Sequence, residues 1–168
     1  MALILLFGGI RSGKSKSALM LAEKRPRLYI ATALPKDPET AKRVLAHKRE
    51  RRGWDTLSSP IPSTAELERV FRERSYKSAV LDCVNMLVAN CMENGADPVK
   101  TALALAEWLK SRTEISVFVS NEVGLGLVPV NPLARRFTDE LGLVNQKLAE
   151  AADRVLFCSA GRVLELKG

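Results

Sequence analysis

Eight residues near the amino terminus constrain this chain more than any other stretch. Gly8, Gly9, Ile10, Arg11, Ser12, Gly13, Lys14 and Ser15 fit the spacing GxxxxGK[ST] and stand between an apolar run, Ala2 to Phe7, and a helical pattern from Lys14 to Lys24. A strand that feeds a glycine-rich turn and then a helix aims successive main-chain N–H groups at one point, where they meet the oxygens of a polyphosphate. The helix N-terminus adds its partial positive charge there. On this reading the eight residues bind a nucleoside triphosphate. Lys14 neutralises the β- and γ-phosphates, and the Ser15 hydroxyl joins the shell of a Mg²⁺ ion. A glycine turn that matched by accident would have no reason to lie between a buried strand and a helix.

The rest of the chain repeats that alternation. Arg27 to Ala31, Ser78 to Asp82 and Ile115 to Ser120 are short apolar strands. Helical patterns run over Pro38 to Arg52, Thr64 to Arg74, Val84 to Met92, Pro98 to Ser111 and Leu133 to Ala152. Trp54 to Pro62, with two prolines, reads as a loop, and Arg154 to Cys158 with Val163 to Leu166 as a strand pair about Ala160-Gly161. Alternating strands and helices predict a mainly parallel sheet covered on both faces. The expected fold is a three-layer α/β/α P-loop NTPase of RecA-like type with a C-terminal strand pair. At 168 residues, 46% hydrophobic and 27% charged, it is one soluble domain spanning residues 1–168. No apolar run reaches the roughly 18 residues a membrane span needs. The opening MALILLFGG reads as a buried strand rather than a signal peptide. The three cysteines form no CxxC pair and the single histidine has no metal-spaced partner, so a disulfide scaffold and a zinc site are both disfavoured. The cytoplasm is the expected location.

A phosphate loop needs a second carboxylate for its magnesium, and Ala79-Val80-Leu81-Asp82 ends an apolar strand with one. Helix capping is the competing role for Asp82. Asn121-Glu122, after ISVFVS, is a second polar pair at a strand end, where open parallel sheets gather their ligand contacts. Capping and solvation explain that pair equally well. The net charge of +7 is concentrated in Lys42 to Arg52, which holds the lone histidine, His47. Most histidines on a charged helix are surface residues. The surrounding cations would nevertheless keep this imidazole neutral and nucleophilic, and would stabilise charge on an attacked phosphate. A phosphoramidate on His47 is reasonable chemistry on these grounds, not a deduction. The basic run could also be a nucleic-acid stripe, but it lacks interleaved aromatics and matches no binding motif.

GGIRSGKS, LYIAT, RVLAHKRERRGW, LDCVNMLVAN, SNEVGLGLVP and NPLARRFTDELGLVNQKLAEAADRV follow one another in a recognisable order. In that order and spacing the chain resembles the bifunctional adenosylcobinamide kinase/adenosylcobinamide-phosphate guanylyltransferases of cobalamin synthesis, over nearly its whole length. The phosphate loop is generic; the NEVGxGxVP loop and the helix after it are specific. The resemblance implies two reactions. ATP or GTP phosphorylates the aminopropanol hydroxyl of adenosylcobinamide. GMP from GTP, carried on an enzyme histidine, then passes to adenosylcobinamide phosphate to give adenosylcobinamide-GDP. It makes His47 that histidine, with Lys14 as the other catalytic residue. It extends the nucleotide contacts to Ala31, Thr32, Ala33, Lys48, Arg49, Glu50, Arg51 and Asp82, and pairs Ser15 with Asp82 at Mg²⁺. Asn121, Glu122 and Gly124 to Val128 become a loop that shapes the site or meets the corrinoid. The implied assembly is a homotrimer, with no nucleic acid and no membrane insertion.

The chain also departs from the family. Where relatives commonly carry glutamate two positions after the threonine that follows the tryptophan, Trp54-Asp55-Thr56-Leu57-Ser58 places Ser58. A carboxylate there would read a guanine edge, and Ser58 lacks one. The stretch from Met92 to Ala96 is also compact. A P-loop kinase of another small metabolite, with no protein-bound nucleotide, is the alternative reading.

Overall fold

The computed structural model describes residues 1–33 and 51–168. Its strands are β1 (Ala2–Gly8), β2 (Arg27–Ala31), β3 (Asp55–Ser58), β4 (Ser78–Asp82), β5 (Ile115–Asn121), β6 (Arg154–Ser159) and β7 (Arg162–Lys167). The described helices are α1 (Lys14–Leu21), α2 (Thr64–Glu73), α3 (Val84–Asn94), α4 (Pro98–Arg112) and α5 (Pro132–Ala151). One seven-stranded sheet runs in the order β3-β2-β4-β5-β1-β6-β7. Every neighbouring pair is parallel except β6 and β7.

Strand β1 lies inside the sheet with both faces covered, which is why Leu3, Ile4, Leu5 and Leu6 can all be apolar without alternation. Leu3 and Leu5 join one core with Leu67, Leu87, Leu105, Leu109 and Leu141, contributed by α2 to α5. Ile4 and Leu6 join the opposite core with Ala18 of α1, Tyr29, Val80 and Cys158. The two cores divide the helices between the two faces, and the sheet is the middle layer.

Local chemistry sets the helix starts. Ser63 and Glu66 form a reciprocal capping box at α2. Asp97 and Asn131 cap α4 and α5, each followed by a proline whose missing N–H would have had no partner anyway. Parallel register then aligns the carboxyl ends of the strands. Gly8 is paired with both Asn121 and Cys158, and Ala31 with Asp82. The chain leaves β1 toward β2 on one side and returns from β5 to β6 on the other. The crevice at the end of β1 is therefore the switch point of the topology, where such sheets bind ligands.

The expected three-layer architecture and C-terminal strand pair are present. The expected loop over Trp54 to Pro62 needs correction. Asp55–Ser58 is a strand at the sheet edge, parallel to β2 with Leu28 opposite Asp55 and Ala31 opposite Ser58. Edge pairing supplies its ladder on one side only, so four residues that alternate between half-buried and exposed suffice without an apolar run. The prolines Pro60 and Pro62 lie beyond its end. The helix expected over Pro38 to Arg52 falls outside the described residues except for Arg51 and Arg52, which lie in a turn.

Candidate phosphate-binding site

At the end of β1 the backbone swings through Gly8 to Gly13 and enters α1. Gly13 is the N-cap, with φ 98° and no side chain of its own to cap the free N–H groups of the first turn. That turn also carries no acidic residue. The donors and the partial positive charge of α1 therefore face the crevice with neither a local cap nor a first-turn carboxylate to satisfy them.

Two elements hold the loop in this shape. Lys14, buried at 7% exposure, folds its ammonium back to donate to the Gly9 carbonyl at 2.5 Å, with the Ser12 hydroxyl at 3.4 Å. From beneath, the turn between β6 and β7 braces Ser12. Its carbonyl accepts from the Gly161 N–H at 2.8 Å and from the Cys158 thiol at 3.1 Å. A Cβ on Gly13 would meet the Gly161 Cα at 3.2 Å, so the loop and the turn touch backbone to backbone. Sequence reading did not find Cys158 and Gly161 as supports of the loop. Gly161 was legible as a turn residue, but nothing in the sequence shows which surface that turn faces.

Burial lowers the Lys14 pKa from its ordinary 10.5, opposed chiefly by Cys158 and Asp82. Lys14, Asp82, Ser15, Cys83 and Asn121 line one cleft of about 390 Å³ together with Ile10 to Gly13. The structure thus brings the P-loop lysine and serine and the strand-end aspartate to one place, as the sequence predicts. The donor set is hard oxygen, one carboxylate and one hydroxyl, with room for phosphates. It suits Mg²⁺, which takes one or two protein ligands and fills its shell with water and phosphate oxygens. Among the described residues no group of three or more His, Cys, Asp or Glu side chains could hold a metal by itself.

Asp82 sits in a frame built by β2 and α3. The Tyr29 hydroxyl donates to Asp82 Oδ2 at 2.6 Å. Thr32 is fully buried and takes no direct part in the cleft surface. Its hydroxyl donates to the Cys83 carbonyl at 2.7 Å and accepts from the Cys83 N–H at 2.8 Å, while its N–H donates to the Asp82 carbonyl at 3.2 Å. Asn90 of α3 donates in turn to the Thr32 and Pro60 carbonyls at 3.0 and 2.9 Å. Tyr29 is 5% exposed. The Arg51 guanidinium lies 3.6 Å from its ring centroid, and Trp54 meets the ring edge-on at 6.3 Å. Burial, with Asp82 beside it, holds the phenol protonated far above its ordinary range. Burial also pushes the Cys83 thiol up to about 12, so it is no nucleophile near neutrality.

The remaining predicted residues divide. Asn121 reaches the phosphate cleft. The Glu122 carboxylate instead accepts from the Gly124 N–H at 2.6 Å and lines a second cavity, of about 350 Å³, against Phe7, Asn145 and Leu166. Beyond it, Leu125, Leu127, Val128 and Val130 are all strongly exposed. A larger, apolar cleft of about 500 Å³, between α3 and α5, is lined by Met92, Leu133 and Phe137 among others. It holds none of the predicted phosphate ligands. Ala31 and Ala33 flank Thr32. His47, Lys48, Arg49 and Glu50 lie outside the described residues, and Arg51 is the first residue after them.

Comparison with known proteins agrees with this geometry. Residues 4–166 match the model of the family described as cobinamide kinase / cobinamide phosphate guanyltransferase. The bifunctional adenosylcobalamin biosynthesis protein CobP of Pseudomonas aeruginosa is 36% identical over 170 residues, covering 98% of this chain and 96% of the relative. The bifunctional adenosylcobalamin biosynthesis protein CobU of Salmonella typhimurium is 34% identical over 191 residues, covering 98% and 99%. Among solved structures, a KaiC-like protein of Pyrococcus horikoshii superposes with a TM-score of 0.57 at 16% identity, over 99% of this chain and 79% of that one. That likeness concerns the fold alone.

Proposed function

The chain belongs to the cobinamide kinase / cobinamide phosphate guanyltransferase family, and from that premise we propose that its phosphate cleft serves two successive reactions on one corrinoid. It is an enzyme of cobalamin biosynthesis. The observation that carries the assignment of the site is the convergence of Lys14, Ser15 and Asp82 on the cleft at the end of β1.

In the kinase reaction, the main-chain N–H groups of Gly9 to Ser15 and the Lys14 ammonium hold the triphosphate of ATP or GTP. The aminopropanol hydroxyl of adenosylcobinamide attacks the γ-phosphorus, its proton is lost, and the nucleoside diphosphate leaves. Lys14 stabilises the charge that gathers on the transferred group and on the leaving oxygen. Ser15 and Asp82 would hold Mg²⁺, which supplies further charge neutralisation along the phosphates.

In the guanylyl reaction, the His47 imidazole attacks the α-phosphorus of GTP and pyrophosphate leaves. An oxygen of adenosylcobinamide phosphate then attacks the phosphoramidate, which forms the pyrophosphate bond of adenosylcobinamide-GDP and frees His47. The family resemblance at RVLAHKRERRGW supports this assignment. So does the position of His47 four residues before Arg51, which packs on the ring that holds Asp82. Lys48, Arg49, Glu50 and Arg51 belong to the nucleotide-contacting segment on the same reading.

The exposed aliphatic loop at Leu125, Leu127 and Val128 supports contact with the apolar corrinoid or with another subunit of a trimer. Among the described residues no helix is long and apolar enough to cross a membrane. The test is labelling with GTP carrying ³²P at the α-position. The protein should retain acid-labile, base-stable label, and a His47→Ala variant should retain none. Label that persists on the variant rejects His47 as the nucleophile. Sedimentation of the purified protein measures the trimer.

A further inference from the structure

Asp82 is held in place by β2 at two levels. Thr32 binds the main chain on both sides of the Asp82–Cys83 peptide, and Tyr29, three residues earlier, reaches along the sheet to the side chain. The register places Tyr29 opposite Val80, with Ala31 opposite Asp82. The phenol therefore spans two residues along the strand to reach the carboxylate. It arrives from within the core, among Ile4, Leu6, Ala18 and Val80, while Asp82 itself lines the phosphate cleft.

We propose that Tyr29 is a positioning residue of the metal site: its hydroxyl engages Oδ2 of Asp82 and so would reserve Oδ1 for the shell of a bound Mg²⁺. This rests on reading Asp82 as the metal-associated carboxylate. Three observations support it. The 2.6 Å bond is short, as bonds to a carboxylate are. The ring is packed where it stands, with the Arg51 guanidinium over its face and the Trp54 ring perpendicular to it at 6.3 Å. The carboxylate's main chain is fixed independently by Thr32, and among the described residues Tyr29 is the hydrogen-bond partner that reaches its side chain. Partners in the outer shell that orient metal-binding groups commonly change metal affinity by about 10–100-fold when removed.

The test uses Tyr29→Phe, which deletes one oxygen and keeps the stacked ring, beside Asp82→Asn. GTP binding is titrated by calorimetry without Mg²⁺ and across a Mg²⁺ series. Tyr29→Phe should bind metal-free GTP as the parent does, yet need about tenfold more Mg²⁺ to reach half its metal-dependent gain. A phenol with a merely structural role would lower the melting temperature and leave that requirement alone, and this result overturns the proposal. If Asp82→Asn shifts the Mg²⁺ requirement and Tyr29→Phe does not, the inference fails while the site assignment stands. If neither shifts it, the assignment of Asp82 fails and takes the inference with it. A second measurement needs no variant at position 29. The chain has two tyrosines, and with ¹³C at Cζ the Tyr29 signal, assigned by Tyr76→Phe, should move when Mg²⁺ is added to the GTP complex. A stationary Tyr29 signal also overturns the proposal.

Discussion

Gly8 lies so close to the Cys158 carbonyl that a Cβ built on it would sit 2.0 Å from that oxygen. The contact is backbone to backbone across the β1–β6 pair, so no rotamer can relieve it. Gly8→Ala should therefore part β1 from β6 at the very point where the phosphate loop begins. Overpacking and backbone strain together set a loss of at least about 2 kcal/mol. Urea unfolding of the variant measures it, and GTP titration should show weakened binding in whatever fraction still folds. A variant with parental stability and affinity would mean that the loop does not depend on this contact.

Lys14 is a charge kept buried before any phosphate arrives, with the Gly9 carbonyl as its nearest acceptor. Lys14→Met keeps the aliphatic stem and removes the ammonium. The free protein should then be as stable as the parent or slightly more so, because a desolvated cation has been replaced by an apolar group. Triphosphate affinity should fall, and kcat of the kinase step should drop by about 10²-fold or more, as when a donor to the transition state is deleted. Thermal melts and steady-state kinetics on the same preparation separate the two effects. Loss of both fold and activity would assign Lys14 a structural role instead.

The same burial gives a pH signature. Lys14 titrates below 10.5 in the folded protein because desolvation disfavours its charged form. Between that lowered value and 10.5, the unfolded chain binds more protons at this position than the folded one, so the Lys14 contribution to stability rises with pH across the window. A bound triphosphate reverses the preference by placing negative charge beside the amine. Binding in the same window should then take up as much as about one proton. Calorimetry of GTP binding in two buffers of different ionisation enthalpy reads that uptake, which should vanish in Lys14→Met. No uptake at any pH up to 10.5 would place the phosphates away from Lys14.

The phosphate loop was legible because its chemistry is local. The glycine spacing, the apolar strand before it and the helix after it all lie within residues 2–24. Asp82 was legible as an aspartate ending an apolar strand, and parallel register carries it to the cleft. The supports were not legible, because they are contacts between residues far apart in the chain. Cys158 reaches the Ser12 carbonyl across 146 positions, and Asn90 reaches the Thr32 carbonyl across 58. Nothing in the composition of either neighbourhood announces such a meeting. Strand β3 escaped for another reason. DTLS has one apolar residue in four, Leu57, and prolines just beyond, and only pairing with β2 makes it a strand. Asn121 and Glu122 were adjacent candidates, but consecutive residues at a strand end point to opposite faces, so one enters the phosphate cleft and the other a separate cavity.

Asn90 offers a test of the frame behind Asp82. Its amide is buried and donates both hydrogens, one to Thr32 and one to Pro60. Asn90→Ala strips both acceptors of their donor and should cost about 1–3 kcal/mol per orphaned group at most, less where water enters the space. Asn90→Asp should be worse at neutral pH, because an ionised carboxylate would face two carbonyl oxygens and has no hydrogen to give. Burial among acceptors raises the pKa of such a carboxyl group. Its folded-state charge is thus the unfavourable form, and stability should recover as pH falls through the raised value, where the protonated acid can donate to one carbonyl. Denaturant unfolding of the two variants between neutral and mildly acidic pH is the measurement. The expected outcome is a gap between Asp and Ala that narrows on acidification. A gap that stays constant would show that Asn90 acts through its shape and not through its two N–H groups.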